Sequence, residues 1–203
     1  PVTDAMLGAA KQIVDASGSA VAARMLGSEI HAPSEPQPMS WLFTMAGVEP
    51  RTVRDFQLAR PEQFVLHPAF DLLREDYVAV SGFFEIVAEG KAAGEFSIPR
   101  DRLLFFSTPR PGEVLVNTTR IPANHPVPHQ EGLRQISELA TFLINRVPGF
   151  ARARLGRIAD DIGERESFRL QGRQTLSVED IVEFSSARGW PARKFSRRCF
   201  ARE

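Results

Sequence analysis

From His129 to Val147 the chain reads HQEGLRQISELATFLINRV, with Leu133, Ile136, Leu139, Ala140, Leu143, Ile144 and Val147 spaced by threes and fours. That period lays a single apolar stripe along a long amphipathic helix, and Pro148-Gly149 stops it. A second helical pattern spans residues 82 to 93, where Phe83, Phe84, Ile86 and Val87 sit among Glu85, Glu89 and Lys91 despite Gly90, with Gly94 as the stop. Residues 20 to 26 (AVAARML) form a third, ended by Gly27.

Strand patterns fill much of the remainder. Residues 103 to 108 and 114 to 120 are apolar, β-prone runs separated by Pro109-Arg110-Pro111-Gly112-Glu113, so they predict an antiparallel hairpin. Residues 39 to 47 (MSWLFTMAG) predict a strand buried on at least one face. Ile13 and Val14, before the turn Asp15-Ala16-Ser17-Gly18, read as a strand end. Residues 158 to 163 and 166 to 170 read as a strand pair or one bent strand, residues 61 to 76 carry only a weak pattern, and Ser177 caps a short helix over 176 to 181.

The predicted class is α+β, a mainly antiparallel or mixed sheet with a long amphipathic helix packed on it. A strand, turn and helix precede that body. The segment HAPSEPQP at 31 to 38 holds three prolines and sets a boundary near residue 35. Residues 36 to 190 then form the main domain, and 191 to 203 a basic tail.

Composition changes this picture little: 203 residues, 43% apolar and 25% charged, suit a globular chain with a full core. Lys and Arg total 25 and so do Asp and Glu, so no overall field steers the chain to nucleic acid or an anionic membrane. Arginine is nonetheless dense from Arg146 to Arg173 and from Arg193 to Arg198, which leaves local anion binding open. One cysteine, Cys199, excludes an internal disulfide and fits a reducing compartment, and no signal peptide or apolar run of spanning length is visible, so the expected location is cytoplasmic.

Several motifs carry candidate chemistry. On a strand, Arg165, Ser167 and Arg169 would share a face, where paired guanidinium groups hold a carboxylate or phosphate in a fork; the plainer role is an Arg and Glu network bracing the sheet. Asn117-Thr118-Thr119-Arg120 would alternate polar groups along a strand toward a polar substrate, or simply reflect the strand preference of threonine, with Asn117 at a bulge. The pairs Phe83-Phe84 and Phe105-Phe106 are core candidates. His125 and His129 stand four apart, but Pro126 and Pro128 between them forbid a helical metal pair, and no metal site is expected. No G-x-S-x-G elbow for serine hydrolysis occurs.

The segments IVDASG at 13 to 18, QPMSWLFTMAGV at 37 to 48, TPRPGEVLVNTTRI at 108 to 121, FLINRVPGF at 142 to 150, IGERESFRLQG at 162 to 172 and LSVEDI at 176 to 181, in this order, resemble the FAD-dependent oxidoreductase family with a glutathione-reductase-like FAD fold. The resemblance implies that Asp15, Ala16, Ser17 and Gly18 turn toward FAD; within such an enzyme, Arg120, Arg165, Arg169, Asn117 and Ser167 are the residues expected to bind substrate. Ser17 stands where the family usually has threonine, and Ser19-Ala20 where it has an acidic residue. A G-x-G-x-x-G turn, which brings backbone to the pyrophosphate, is not found in these 203 residues, and the tail after Trp190-Pro191 does not resemble the family's C-terminal FAD segment. The expected function is therefore the substrate-side domain of a flavoenzyme, inert alone and acting with a separate FAD-binding polypeptide or further domains. The other expectation is a non-catalytic assembly protein that self-associates through the former domain interface.

Overall fold

The computed structural model describes residues 8–9, 11–66, 77–165 and 168–171. The fold is α+β, and its contacts divide into two units: Glu35–Arg165, and the described residues on either side of it. In the larger unit five short strands form one antiparallel sheet in the order β3-β4-β5-β2-β6. These are β2 (Phe43–Ala46), β3 (Ala79–Gly82), β4 (Leu103–Ser107), β5 (Glu113–Val116) and β6 (Arg154–Ile158). Alternation places Phe43, Met45, Val80, Leu103, Phe105, Val114 and Val116 on the buried face. There they join Ile136, Leu139 and Leu143 of the long helix α4 (Pro128–Arg146) in one core.

The expected hairpin is β4 and β5, paired Phe105 to Val116 and Ser107 to Val114. Gly112 supplies the left-handed φ of 68° that its turn requires. Helix α4 starts with Pro128 in its first turn, and its stripe is buried as expected except at Leu133, which is 50% exposed, and Ile144, which is half-buried. Gly132, Gln135 and Phe142 are buried instead, because the helix is gripped on a wider face than the aliphatic stripe alone defines.

Helix α3 (Phe84–Ala92) matches the second helical pattern. Phe83 precedes it at φ 64°, a left-handed conformation that costs a bulky residue on the order of 1 to 2 kcal/mol. Its ring is fully buried and stacks on Phe56 at 5.3 Å and edge-on to Phe64 at 4.8 Å, so the aromatic cluster overrides the backbone cost. Buried Gln63 completes the helix start: its Oε1 accepts from the Glu85 amide at 2.7 Å. Phe105 is likewise core, whereas Phe106 points to the other sheet face and is 41% exposed.

Several elements differ from the sequence pattern. Helix α2 (Pro50–Ala59) buries Val53, Arg54 and Gln57, two of them polar, so no apolar stripe announces it. Strand β6 is an edge strand exposed along most of its length, and its charged sequence RLGRI shows no alternation. Strand β5 ends at Val116, so Asn117–Arg120 is not a strand. From the 158 to 163 pattern, only Ile158 belongs to a strand, while Gly163 makes an isolated pair with Ser40. The expected helix at 176 to 181 and Cys199 lie outside the described residues.

In the smaller unit, α1 (Val21–Met25) is followed by β1 (Ile30–His31), which pairs with β7 (Arg169–Leu170) through Ile30 to Leu170 and His31 to Arg169. The Arg24 guanidinium lies 4.8 Å from the Phe168 ring. Ile13 and Val14 are not in a strand, and Val14 is 91% exposed: no neighbouring strand backbone pairs with this segment among the described residues. No helix among the described residues is long and apolar enough to cross a membrane.

Gly90 in α3 meets the buried Phe142 ring of α4, and a Cβ there would collide with it. Alanine would gain about 1 kcal/mol of helix propensity, but forcing the ring aside costs about 1–3 kcal/mol. Gly90→Ala is therefore expected to lower unfolding stability by roughly 1 kcal/mol in urea denaturation; a stabilised variant would show that Phe142 repacks freely.

Candidate functional site

The site is built around the four residues that follow β5. The Asn117 amide donates to the Leu104 carbonyl at 2.8 Å and extends the ladder by one residue. Beyond it, two fully buried threonine hydroxyls replace backbone pairing. Thr118 Oγ1 accepts from the Leu104 amide at 2.8 Å and donates to the Leu104 carbonyl at 3.1 Å. Thr119 Oγ1 does the same to Trp41 on the other side, at 2.8 and 3.1 Å. The threonines are thus structural, and what they present to a ligand is the chain they hold.

Their carbonyls orient a cation: Arg100 Nε donates to the Thr118 carbonyl and Nη2 to the Thr119 carbonyl, each at 3.3 Å. The next residue, Arg120, has its main chain clamped by Gln135 of α4. Gln135 Oε1 accepts from the Arg120 amide at 2.7 Å, and Gln135 Nε2 donates to the Arg120 carbonyl at 3.0 Å and to Glu131 at 2.8 Å. Glu131 is in turn forked by Arg134.

Arg100 and Arg120 line an open groove of about 610 Å³ with Ser81, Lys91, Pro99, Asp101, Arg102 and Leu104. Ser81 and Leu104 are register partners on β3 and β4 and form its floor. Asp101 and Arg102 neutralise each other through two bonds of 2.9 Å, and Arg102 also lies 5.1 Å from the centre of the Phe84 ring. Among the described residues, Lys91, Arg100 and Arg120 form no ion pair. Burial, followed by the charges of Arg120 and Arg165, pushes the Arg100 guanidinium below its usual proton affinity. A guanidinium stays charged in a protein, so this crowding is an electrostatic deficit that an anion relieves.

Of the residues expected at the site, Arg120 lines the groove, and Arg165 is near enough to act on Arg100 while donating to Ser40 Oγ at 3.0 Å. Asn117 follows the end of β5, and its Oδ1 is buried with no hydrogen-bond partner among the described residues. Arg169 lies on β7 in the other unit, so no described strand joins it to Arg165, and Ser167 lies outside the described residues. Lys91, Arg100 and Arg102 were not anticipated. They come from a helix end and a loop, and the sequence offers only the short basic run Arg100-Asp101-Arg102 as a hint.

The Asp15–Gly18 turn is self-contained. Asp15 Oδ1 accepts from the Ser17 amide and hydroxyl at 3.0 and 2.6 Å, Asp15 Oδ2 accepts from the Ala23 amide at 3.0 Å, and Ser17 Oγ accepts from the Val21 amide at 2.9 Å. The Ser17 hydroxyl and these amides hold the Asp15 carboxyl down to about 2. Gly18 has φ 76°, and no heavy atom among the described residues lies within 4 Å of where its Cβ would stand. This fits a turn whose backbone a cofactor can approach at Gly18, with Asp15 and Ser17 as internal braces.

Against known sequences, the profile of the family described as FAD dependent oxidoreductase matches residues 6–197. The chain belongs to this family, an oxidoreductase class whose cofactor is FAD. No curated protein and no solved structure matches it.

The Glu131 carboxyl is held down to about 2, chiefly by the Arg134 guanidinium and then by Gln135, against the cost of partial burial. Its folded value lies below the ordinary 4.5, so its contribution to stability is complete above pH 4.5 and is lost as pH falls toward 2. Glu131→Gln is expected to lower stability at neutral pH and to flatten the acid limb of the unfolding curve in that window. Denaturant melts across the pH series check this.

Proposed function

We propose that Glu35–Arg165 is the substrate-side unit of an FAD-dependent oxidoreductase and that its groove receives an anionic organic substrate. The observation that carries this reading is the convergence of Lys91, Arg100 and Arg120, without carboxylate partners among the described residues, on one open groove. Natural proteins pair or solvate such charges unless a ligand uses them. Arg120 is the main contact, with its main chain fixed by Gln135 at the groove. Arg100 adds a second guanidinium held by the Thr118 and Thr119 carbonyls. Arg165 reinforces the positive potential from its bond to Ser40.

FAD, when bound, supplies the two-electron chemistry of the family. This chain's residues would bind the substrate's charge and fix its register in the groove. On the cofactor side, the Asp15–Gly18 turn offers the open backbone at Gly18, while the rest of the nucleotide is held by elements outside Glu35–Arg165.

Titration of the 203-residue chain with FAD, read by flavin fluorescence and melting temperature, tests this division of roles. Any FAD binding is expected to be the same in Arg120→Ala and Arg100→Ala as in the parent, because the groove serves the substrate. A ligand that binds the native state raises its melting temperature. An FAD-induced shift abolished by Arg120→Ala would make the groove a cofactor site and overturn the reading.

A further inference from the structure

We infer that the groove selects small organic acids carrying two negative charges over those carrying one, an inference that rests on its reading as the substrate side. The argument is a charge count at fixed positions. Four cationic side chains line the groove, and Asp101 cancels Arg102 through a two-point fork with both bonds at 2.9 Å. Lys91, Arg100 and Arg120 remain, with Arg165 adding to the field on Arg100.

A single carboxylate meets one guanidinium in a fork and leaves the other, half-buried guanidinium without a countercharge. A dianion satisfies two of them at once. The positions suit this: Arg100 and Arg120 are both anchored on the Thr118–Arg120 segment, one through side-chain bonds to its carbonyls and the other through its own main chain. Lys91 comes from a different element, the last turn of α3, and supplies a point charge rather than a fork.

Between these charges the lining is Ser81, a hydroxyl, and Leu104, an alkyl surface. That floor accommodates a short carbon skeleton with one polar substituent. A volume of about 610 Å³ has room for a ligand well beyond acetate in size. The shared chemistry is therefore a compact dianion, either a dicarboxylate or a phosphate monoester.

The test measures binding of succinate, inorganic phosphate and acetate to the full chain by calorimetry at about 0.15 M ionic strength, where unspecific surface attraction is screened. Succinate or phosphate is expected to bind at least about tenfold more tightly than acetate. Tight succinate with weak phosphate identifies a dicarboxylate site, and the reverse a phosphate ester site. Lys91→Gln is expected to weaken succinate or phosphate binding by more than it weakens acetate binding, so that the discrimination narrows. Equal affinities for all three anions would overturn the inference and leave the substrate-side reading standing. Displacement of bound succinate by FAD would instead defeat the reading beneath it.

Discussion

Two threonine hydroxyls hold the larger unit together where its sheet comes apart. Beyond Val116 the backbone can no longer pair with both neighbours, and Thr118 and Thr119 reach to opposite sides, each satisfying the amide and the carbonyl of the residue it faces. A side-chain hydrogen bond of this kind contributes about 1 kcal/mol net, but a buried backbone group left alone costs about 1–3 kcal/mol. Removing the Thr119 hydroxyl would orphan two such groups, and removing the Thr118 hydroxyl one, because the Leu104 carbonyl keeps the Asn117 amide. Because the hydroxyls do this work, the threonine carbonyls are available to Arg100, so the same residues that close the sheet also organise the basic groove.

The rest of the surface shows how unusual that groove is. Many other described arginines meet carboxylates: Arg134 bridges Glu131 and Glu138, Arg146 forks Glu95, and Arg60 joins Glu62 to Glu85. Exposed pairs of this kind contribute little stability, but they leave the local potential near balance. With zero formal net charge over the whole chain, the imbalance at the groove is local. Within it the Arg100 guanidinium is held by main-chain carbonyls rather than by a countercharge.

Legibility in the sequence followed the range of the forces involved. The long helix and the β4–β5 hairpin were readable because apolar spacing, Pro128, Pro148 and the Pro-Gly turn all act locally. Helix α2 was hidden because its buried face includes Arg54 and Gln57, and β6 because an edge strand buries too little to alternate. At the site, the FAD family and Arg120 were visible in motifs. Lys91 and Arg100 were not, since only the folding of α3 and the loop before β4 brings them beside Arg120. In the polar run Asn117–Arg120 the two threonines face the protein's own backbone, and Arg120 alone reaches the groove lining.

Phe83 gives the arrangement a less obvious property. Its left-handed backbone sets the direction in which α3 leaves the sheet, and it is kept there by the rings packed around it and by its amide, which donates to the Gln63 carbonyl at 2.8 Å. Lys91 lies two turns further along the same helix. The aromatic core thus acts as the mount of a lever whose far end is a charge in the groove. Changes among apolar residues can therefore shift where that charge stands while every basic residue stays in place.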